Sequence, residues 1–116
     1  MRTQETDVLV IGSGGAGLYA AIRAAEAGAR VTIWDKGLVS KSGGTVGGAG
    51  IAAVGPWSVP GDGPDVHAAD TLAGGAYLND ESLVRILANE AGERVGEMER
   101  WGLRFDRRPD GRYVLD

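Results

Sequence analysis

The first apolar cluster along the chain is continuous. Val8-Leu9-Val10-Ile11 runs unbroken up to Gly12, the pattern of a strand covered on both faces in a parallel sheet. Helix formers then dominate residues 16–27, where the small side chains Ala16, Ala20, Ala21, Ala24 and Ala25 recur at spacings of three and four. Such a face lets a helix lie close against a sheet. Gly28 supplies the stop, and Val31-Thr32-Ile33-Trp34 is a second apolar, β-branched run. Together these pieces predict a β-α-β unit of about 30 residues.

Downstream the pattern changes twice. Residues 36–63 are mostly Gly, Ser, Ala and Pro around a short apolar island at 51–54, and a loop of that length inside a compact domain is expected to be functional rather than a linker. Residues 62–64 then read as a helix start with Pro64 at the first helical position, and Gly74-Gly75 as its stop. Val66, Ala69 and Ala73 are the residues expected on its buried side. A longer helix is predicted over 80–101 from Val84, Leu87, Ala88, Ala91, Val95 and Met98, which recur at three and four. Asn79 or Asp80 can cap it, and Glu81 suits the positive end of its dipole. Finally, Leu103-Arg104-Phe105-Asp106 and Arg112-Tyr113-Val114-Leu115 flank Pro109-Asp110-Gly111, the pattern of a turn between two short strands.

Composition narrows the picture. The chain has 116 residues, 43% hydrophobic and 24% charged, which suits one soluble globular domain over 1–116. Glycine is the outlier at 20 residues, against a usual share of about 7%. Most of these glycines fall in clusters between Gly12 and Gly75, which implies backbone wrapped closely around something. A formal net charge of -4 argues against a nucleic-acid partner, since phosphate binding needs a basic face. With no cysteine there is no disulfide framework, thiolate nucleophile or cysteine-held cluster in this chain. A cytoplasmic setting is the simplest expectation, and the run at 8–11 is far too brief for direct membrane insertion.

The chemistry centres on Gly12-Ser13-Gly14-Gly15-Ala16-Gly17, which matches G-x-G-x-x-G and, more tellingly, follows a strand and opens a helix. Gly12 allows the tight strand-to-helix turn, Gly14 lets a pyrophosphate approach the backbone, and Gly17 lets the helix pack against the strand. The helix N-terminus offers N–H groups and partial positive charge to the phosphates. Asp35, at the end of the second strand, is placed to accept hydrogen bonds from ribose hydroxyls, and a carboxylate there disfavours a 2′-phosphate. The unit alone does not separate NAD from FAD, because both share an ADP half.

The next segment points to one of them. Ser40-Lys41-Ser42-Gly43-Gly44-Thr45-Val46-Gly47-Gly48-Ala49-Gly50-Ile51-Ala52-Ala53 resembles the flavin-contacting loop of the succinate dehydrogenase, fumarate reductase and L-aspartate oxidase flavoproteins. The stretch His67-Ala68-Ala69-Asp70-Thr71 through Asp80, and Glu99-Arg100-Trp101-Gly102-Leu103-Arg104-Phe105, are similar to later parts of the same family. The resemblance extends from Asp7 to about Tyr113. It implies an α/β fold, a Rossmann-like FAD-binding β-α-β unit with additional helices, as the N-terminal portion of a larger fold. It also implies FAD contacts from Gly12, Ser13, Gly14, Gly15, Ala16, Gly17, Asp35, Lys36, Lys41, Ser42, Gly43, Gly44, Thr45, Gly47, Gly48, Ala49 and Gly50. Two departures stand out. Members that attach FAD covalently carry a histidine after the serine that Ser42 resembles, whereas this chain has Gly43, so FAD is expected to be held non-covalently. The family's A-Q-G-G-I is here Gly47-Gly48-Ala49-Gly50-Ile51, without the glutamine.

The resemblance implies a flavin-dependent oxidoreductase acting on a small dicarboxylate or amino-dicarboxylate, of the succinate/fumarate type or an L-aspartate oxidase. It also makes an iron–sulfur protein a candidate partner. A nicotinamide-dependent dehydrogenase and a non-catalytic nucleotide-binding module remain the other classes. No catalytic residue and no metal ligand is assigned within the chain, which by itself is expected to be incapable of turnover. His67, the one histidine, is expected to be a surface or capping residue. Trp34, Trp57 and Trp101 are expected to be packing or loop anchors, and the charges between Glu90 and Arg108 a solvated helix face and its end.

Overall fold

The structure is a computed structural model that describes residues 3–39, 41, 43–48 and 50–115. It falls into two compact units, Met1–Gly50 and Ile51–Asp116.

In the first unit, strand β1 (Val8–Ile11) leads through helix α1 (Gly15–Glu26) to strand β2 (Val31–Trp34). The strands are parallel and paired in register from Val8↔Val31 to Ile11↔Trp34. This is the predicted β-α-β order, with α1 displaced by one residue at each end. Gly28 follows the helix with a φ of +88°, and its N–H donates to the carbonyl of Ala25 at 2.9 Å. At the far end of the strand pair the Asp7 carboxylate accepts from the Arg30 backbone N–H at 2.8 Å and from its guanidinium at 3.0 and 3.1 Å. Those hydrogen bonds hold the Asp7 carboxyl below its usual range.

One expectation fails here. The strands were expected to be covered on both faces, but Leu9 and Ile11 are 46% and 72% exposed, while Val8 and Val10 are half-buried. Among the described residues of this unit, α1 covers only the Val10 side of a two-stranded sheet. Successive side chains point to opposite faces, so alternate residues meet no cover. A single 3₁₀ turn, Gly44–Gly47, interrupts the long loop and was not foreseen.

The second unit is built on helices α2 (Pro64–Gly74) and α3 (Glu81–Arg100). Pro64 opens α2 and Gly75 closes it, as expected. Asp80 caps α3, its carboxylate accepting from the N–H groups of Ser82 and Leu83 at 2.9 and 3.3 Å. The two helices meet through Ala68, Val84 and Ala88, with Leu72 against them. The buried face of α2 is therefore that of Ala68 and Leu72 rather than Val66, Ala69 and Ala73. Small apolar residues surround this helix on most sides, so the bulk of Leu72 decides which side packs. Leu87 likewise stays 52% exposed, since the contact seam of α3 runs along Val84 and Ala88. Between the helices, Ala76 and Tyr77 take left-handed φ values of 50° and 58°, and the Tyr77 N–H donates back to the Leu72 carbonyl at 2.9 Å.

The expected strand pair near the C-terminus reduces to one antiparallel bridge, Arg107↔Tyr113, although the turn between them forms, with the Gly111 N–H donating to the Arg108 carbonyl at 2.9 Å. Two further backbone bonds flank the bridge, Arg108 N–H to the Arg112 carbonyl at 2.8 Å and Val114 N–H to the Asp106 carbonyl at 2.9 Å, and side chains add to them. Tyr113 meets Trp57 and Phe105 edge-on at centroid distances of 4.9 and 5.7 Å, and the Arg107 guanidinium lies 4.1 Å over its ring. The Tyr113 hydroxyl and Arg107 both donate to the Glu99 carboxylate at 2.6 Å. The charges of this region are thus not simply a solvated face. Glu97 is 8% exposed and takes a 2.7 Å ion pair from Arg94, which a count of charges along the chain does not reveal.

Candidate functional site

The site lies at the carboxyl ends of the two strands, where β1 turns into α1. The Gly12 N–H donates to the Trp34 carbonyl at 2.7 Å, extending the strand pairing by one bond, and then φ of Gly12 swings to +100°. That conformation admits glycine readily and other residues poorly. Gly14 caps α1 without a side-chain hydrogen bond, and the first turn of the helix carries no acidic residue, so the positive end of the dipole is not neutralised from within. Among the described residues, a Cβ added at Gly14 would meet nothing within 4 Å, whereas one at Gly17 would stand 2.1 Å from the Gly12 carbonyl oxygen. The first glycine leaves open space and the second permits contact, as the motif reading expects.

An open cleft of about 430 Å³ lies over this turn, lined by Gly12, Gly14, Gly43 and, at the end of the second strand and just beyond it, Trp34, Asp35 and Lys36. Its size is within the range of small-molecule and cofactor pockets, about 300–1,000 Å³. Gly43 approaches from the long loop with a φ of +81°, and a Cβ there would lie 3.3 Å from the α-carbon of Gly14. Asp35 stands between the turn and β2. One carboxylate oxygen accepts from the Ser13 N–H at 2.7 Å and from the Ser13 hydroxyl at 2.5 Å; the other accepts from the Gly37 N–H at 2.9 Å.

Among the candidate residues, Gly12, Ser13, Gly14, Asp35, Lys36 and Gly43 come together at this cleft, with Gly15, Ala16 and Gly17 in the first turn of α1. Gly44 and Gly47 belong to the 3₁₀ turn, and Lys41, Gly48 and Gly50 are exposed and do not line the cleft. Ser42 and Ala49 lie outside the described residues, as does the side chain of Thr45. His67 sits half-buried in α2, where its carbonyl accepts from the Thr71 hydroxyl at 2.8 Å. Trp34, expected to be a packing anchor, is instead 63% exposed at the cleft beside Ile11. The side-chain link from Ser13 to Asp35 was missed, because nothing in the motif distinguishes the residue between its first two glycines.

A family model described as an FAD binding domain matches residues 7–116. The chain is 47% identical over 108 residues to a fumarate reductase (CoM/CoB) subunit of Methanothermobacter marburgensis, covering 92% of this chain and 20% of that one. It is 39% identical over 113 residues to the chloroplastic L-aspartate oxidase of Oryza sativa subsp. japonica, covering 97% of this chain and 17% of that one. Among solved structures, the E. coli quinol fumarate reductase superposes with a TM-score of 0.86 at 33% identity, over all of this chain and 20% of that one. The chain thus spans about a fifth of the length of the relatives it matches.

Proposed function

The chain belongs to the FAD binding domain family, and from that premise we propose that it forms the ADP-holding part of the FAD site of a flavin-dependent oxidoreductase. The observation that carries the proposal is one constellation: an open glycine turn, a helix whose first turn holds no acidic residue and a carboxylate meet at a single cleft. Those residues fit the ADP half of FAD. The uncovered backbone at Gly14 leaves room for a diphosphate, and the start of α1 supplies favourable field and N–H groups. Asp35 takes the ribose hydroxyls. Lys36, at the same cleft, adds a positive charge that the diphosphate favours. Gly43 bears no group able to bond to the flavin, so FAD is held non-covalently.

When bound, FAD supplies the hydride transfer, while the protein contributes placement and electrostatics. The whole protein's substrate is a dicarboxylate or amino-dicarboxylate, which the fumarate reductase and aspartate oxidase relatives support. That one relative is named as one subunit of its enzyme supports a partner chain, for which an iron–sulfur protein is the proposed class.

The test is direct. The purified chain mixed with FAD and desalted is expected to be yellow and to release its flavin on heat denaturation. A colourless chain that is stabilised by NAD and not by FAD would overturn the proposal.

A further inference from the structure

Resting on the proposed FAD site, we infer that Ser13 is a positioning residue that aims the Asp35 carboxylate and so sets how strictly the site demands a ribose hydroxyl. Ser13 is buried, at 1% exposure, and is one of the few polar side chains among the described residues to be so. A buried hydroxyl is costly unless it is bonded, and this one donates to Asp35 at 2.5 Å. That is the length of a charge-assisted O–H to carboxylate bond. The Ser13 backbone N–H donates to the same oxygen at 2.7 Å, while Gly37 holds the other oxygen from the far side at 2.9 Å.

Among the described residues, donors from two loops therefore fix the carboxylate plane. Two of them come from the turn that cradles the diphosphate. The sugar contact and the phosphate turn are joined through one residue, and a ligand carrying both groups finds them already aligned. Such prior alignment raises affinity by removing the cost of ordering the carboxylate on binding. Glycines explain the shape of the turn, while the Ser13 side chain adds a bond to Asp35 that no glycine side chain can make.

The experiment measures the affinity of the chain for ADP and for 2′-deoxy-ADP, by isothermal titration or by displacement of FAD. The wild-type chain is expected to favour ADP by about tenfold, the value of one hydrogen bond to a charged group. Ser13→Ala is expected to reduce that preference to less than about threefold, and Ser13→Thr, which keeps the hydroxyl, to retain it. A purely structural role for Ser13 would weaken both nucleotides alike and leave the ratio unchanged, and that result overturns the inference. Equal affinity of the wild-type chain for the two nucleotides overturns it as well. Should Ser13→Ala lose its helical circular dichroism, Ser13→Gly is judged by the same ratio. A wild-type chain that binds neither FAD nor ADP overturns the FAD reading itself, and this inference with it.

Discussion

A Cβ on Gly17 would stand 2.1 Å from the carbonyl oxygen of Gly12, so the first turn of α1 rests directly on the backbone that leaves β1. The neighbour is main chain and cannot rotate away. Gly17→Ala is therefore expected to cost about 3 kcal/mol, the upper end for overpacking, and to abolish FAD retention. Urea unfolding with and without FAD measures both. Wild-type stability in this variant would show that the helix can slide off the turn.

Gly43 faces two constraints at once, a φ of +81° and a 3.3 Å approach to the Gly14 α-carbon. Gly43→Ala is expected to lower stability by about 1–2 kcal/mol through the left-handed backbone alone, and to weaken FAD binding by narrowing the cleft. Gly43→His is expected to carry no covalent flavin, because the inserted side chain starts from the same strained backbone. Acid precipitation after FAD loading separates bound from covalent flavin, and colour in the pellet would contradict the prediction.

The clasp of Glu99, Arg107 and Tyr113 makes stability depend on pH at both ends. The Tyr113 hydroxyl, and then Arg107, hold the Glu99 carboxyl below its ordinary value of 4.5. A carboxyl lowered in the folded state contributes stability that is present above that value and lost as pH falls through the lower, folded one. Glu99 in turn raises the Tyr113 hydroxyl above 10.0, so that contribution is complete below 10.0 and lost as pH rises through the raised value. The stability gap between wild type and Glu99→Gln is thus expected to be flat from about pH 5 to 9 and to close outside both limits. Urea midpoints across pH test this, and a gap independent of pH would refute it.

At the start of α3, the Asp80 carboxylate accepts from the Ser82 hydroxyl at 2.6 Å in addition to the two backbone N–H groups. Its carboxyl is held below the usual range by those bonds, that of the Ser82 side chain foremost. Removing an N-cap side chain of this kind leaves helix N–H groups without their acceptor. Asp80→Ala is expected to lower the midpoint of thermal unfolding, while Asp80→Asn, which keeps an accepting oxygen, retains most of the wild-type value.

The β-α-β unit was legible because its signals are local. An unbroken apolar run, a glycine turn, alanines at helical spacing and a second run each specify their own element, and the bounds of α2 and α3 followed from Pro64, Gly75 and Asp80 in the same way. The face of α2 was not legible. Alanines surround that helix, and only contact with Val84 and Ala88 singles out Ala68 and Leu72. The same holds for Leu87, whose spacing suits a core position that no described element covers. The strands expected from residue 103 onward shorten to one bridge with its flanking backbone bonds, and the accompanying clasp of Glu99, Arg107 and Tyr113 was not legible because it joins residues as far as 14 positions apart.

By itself the sequence determined which residues could form a dinucleotide turn, since glycine alone tolerates a φ of +100° at position 12 and the close approach at position 17. It also determined the order of strand, helix and strand. Tertiary structure alone decided that the Ser13 hydroxyl meets Asp35 across 22 positions, and that Gly43 comes up beside Gly14. Those contacts depend on where parallel strands and a returning loop place distant residues in space, and no local propensity encodes such a distance.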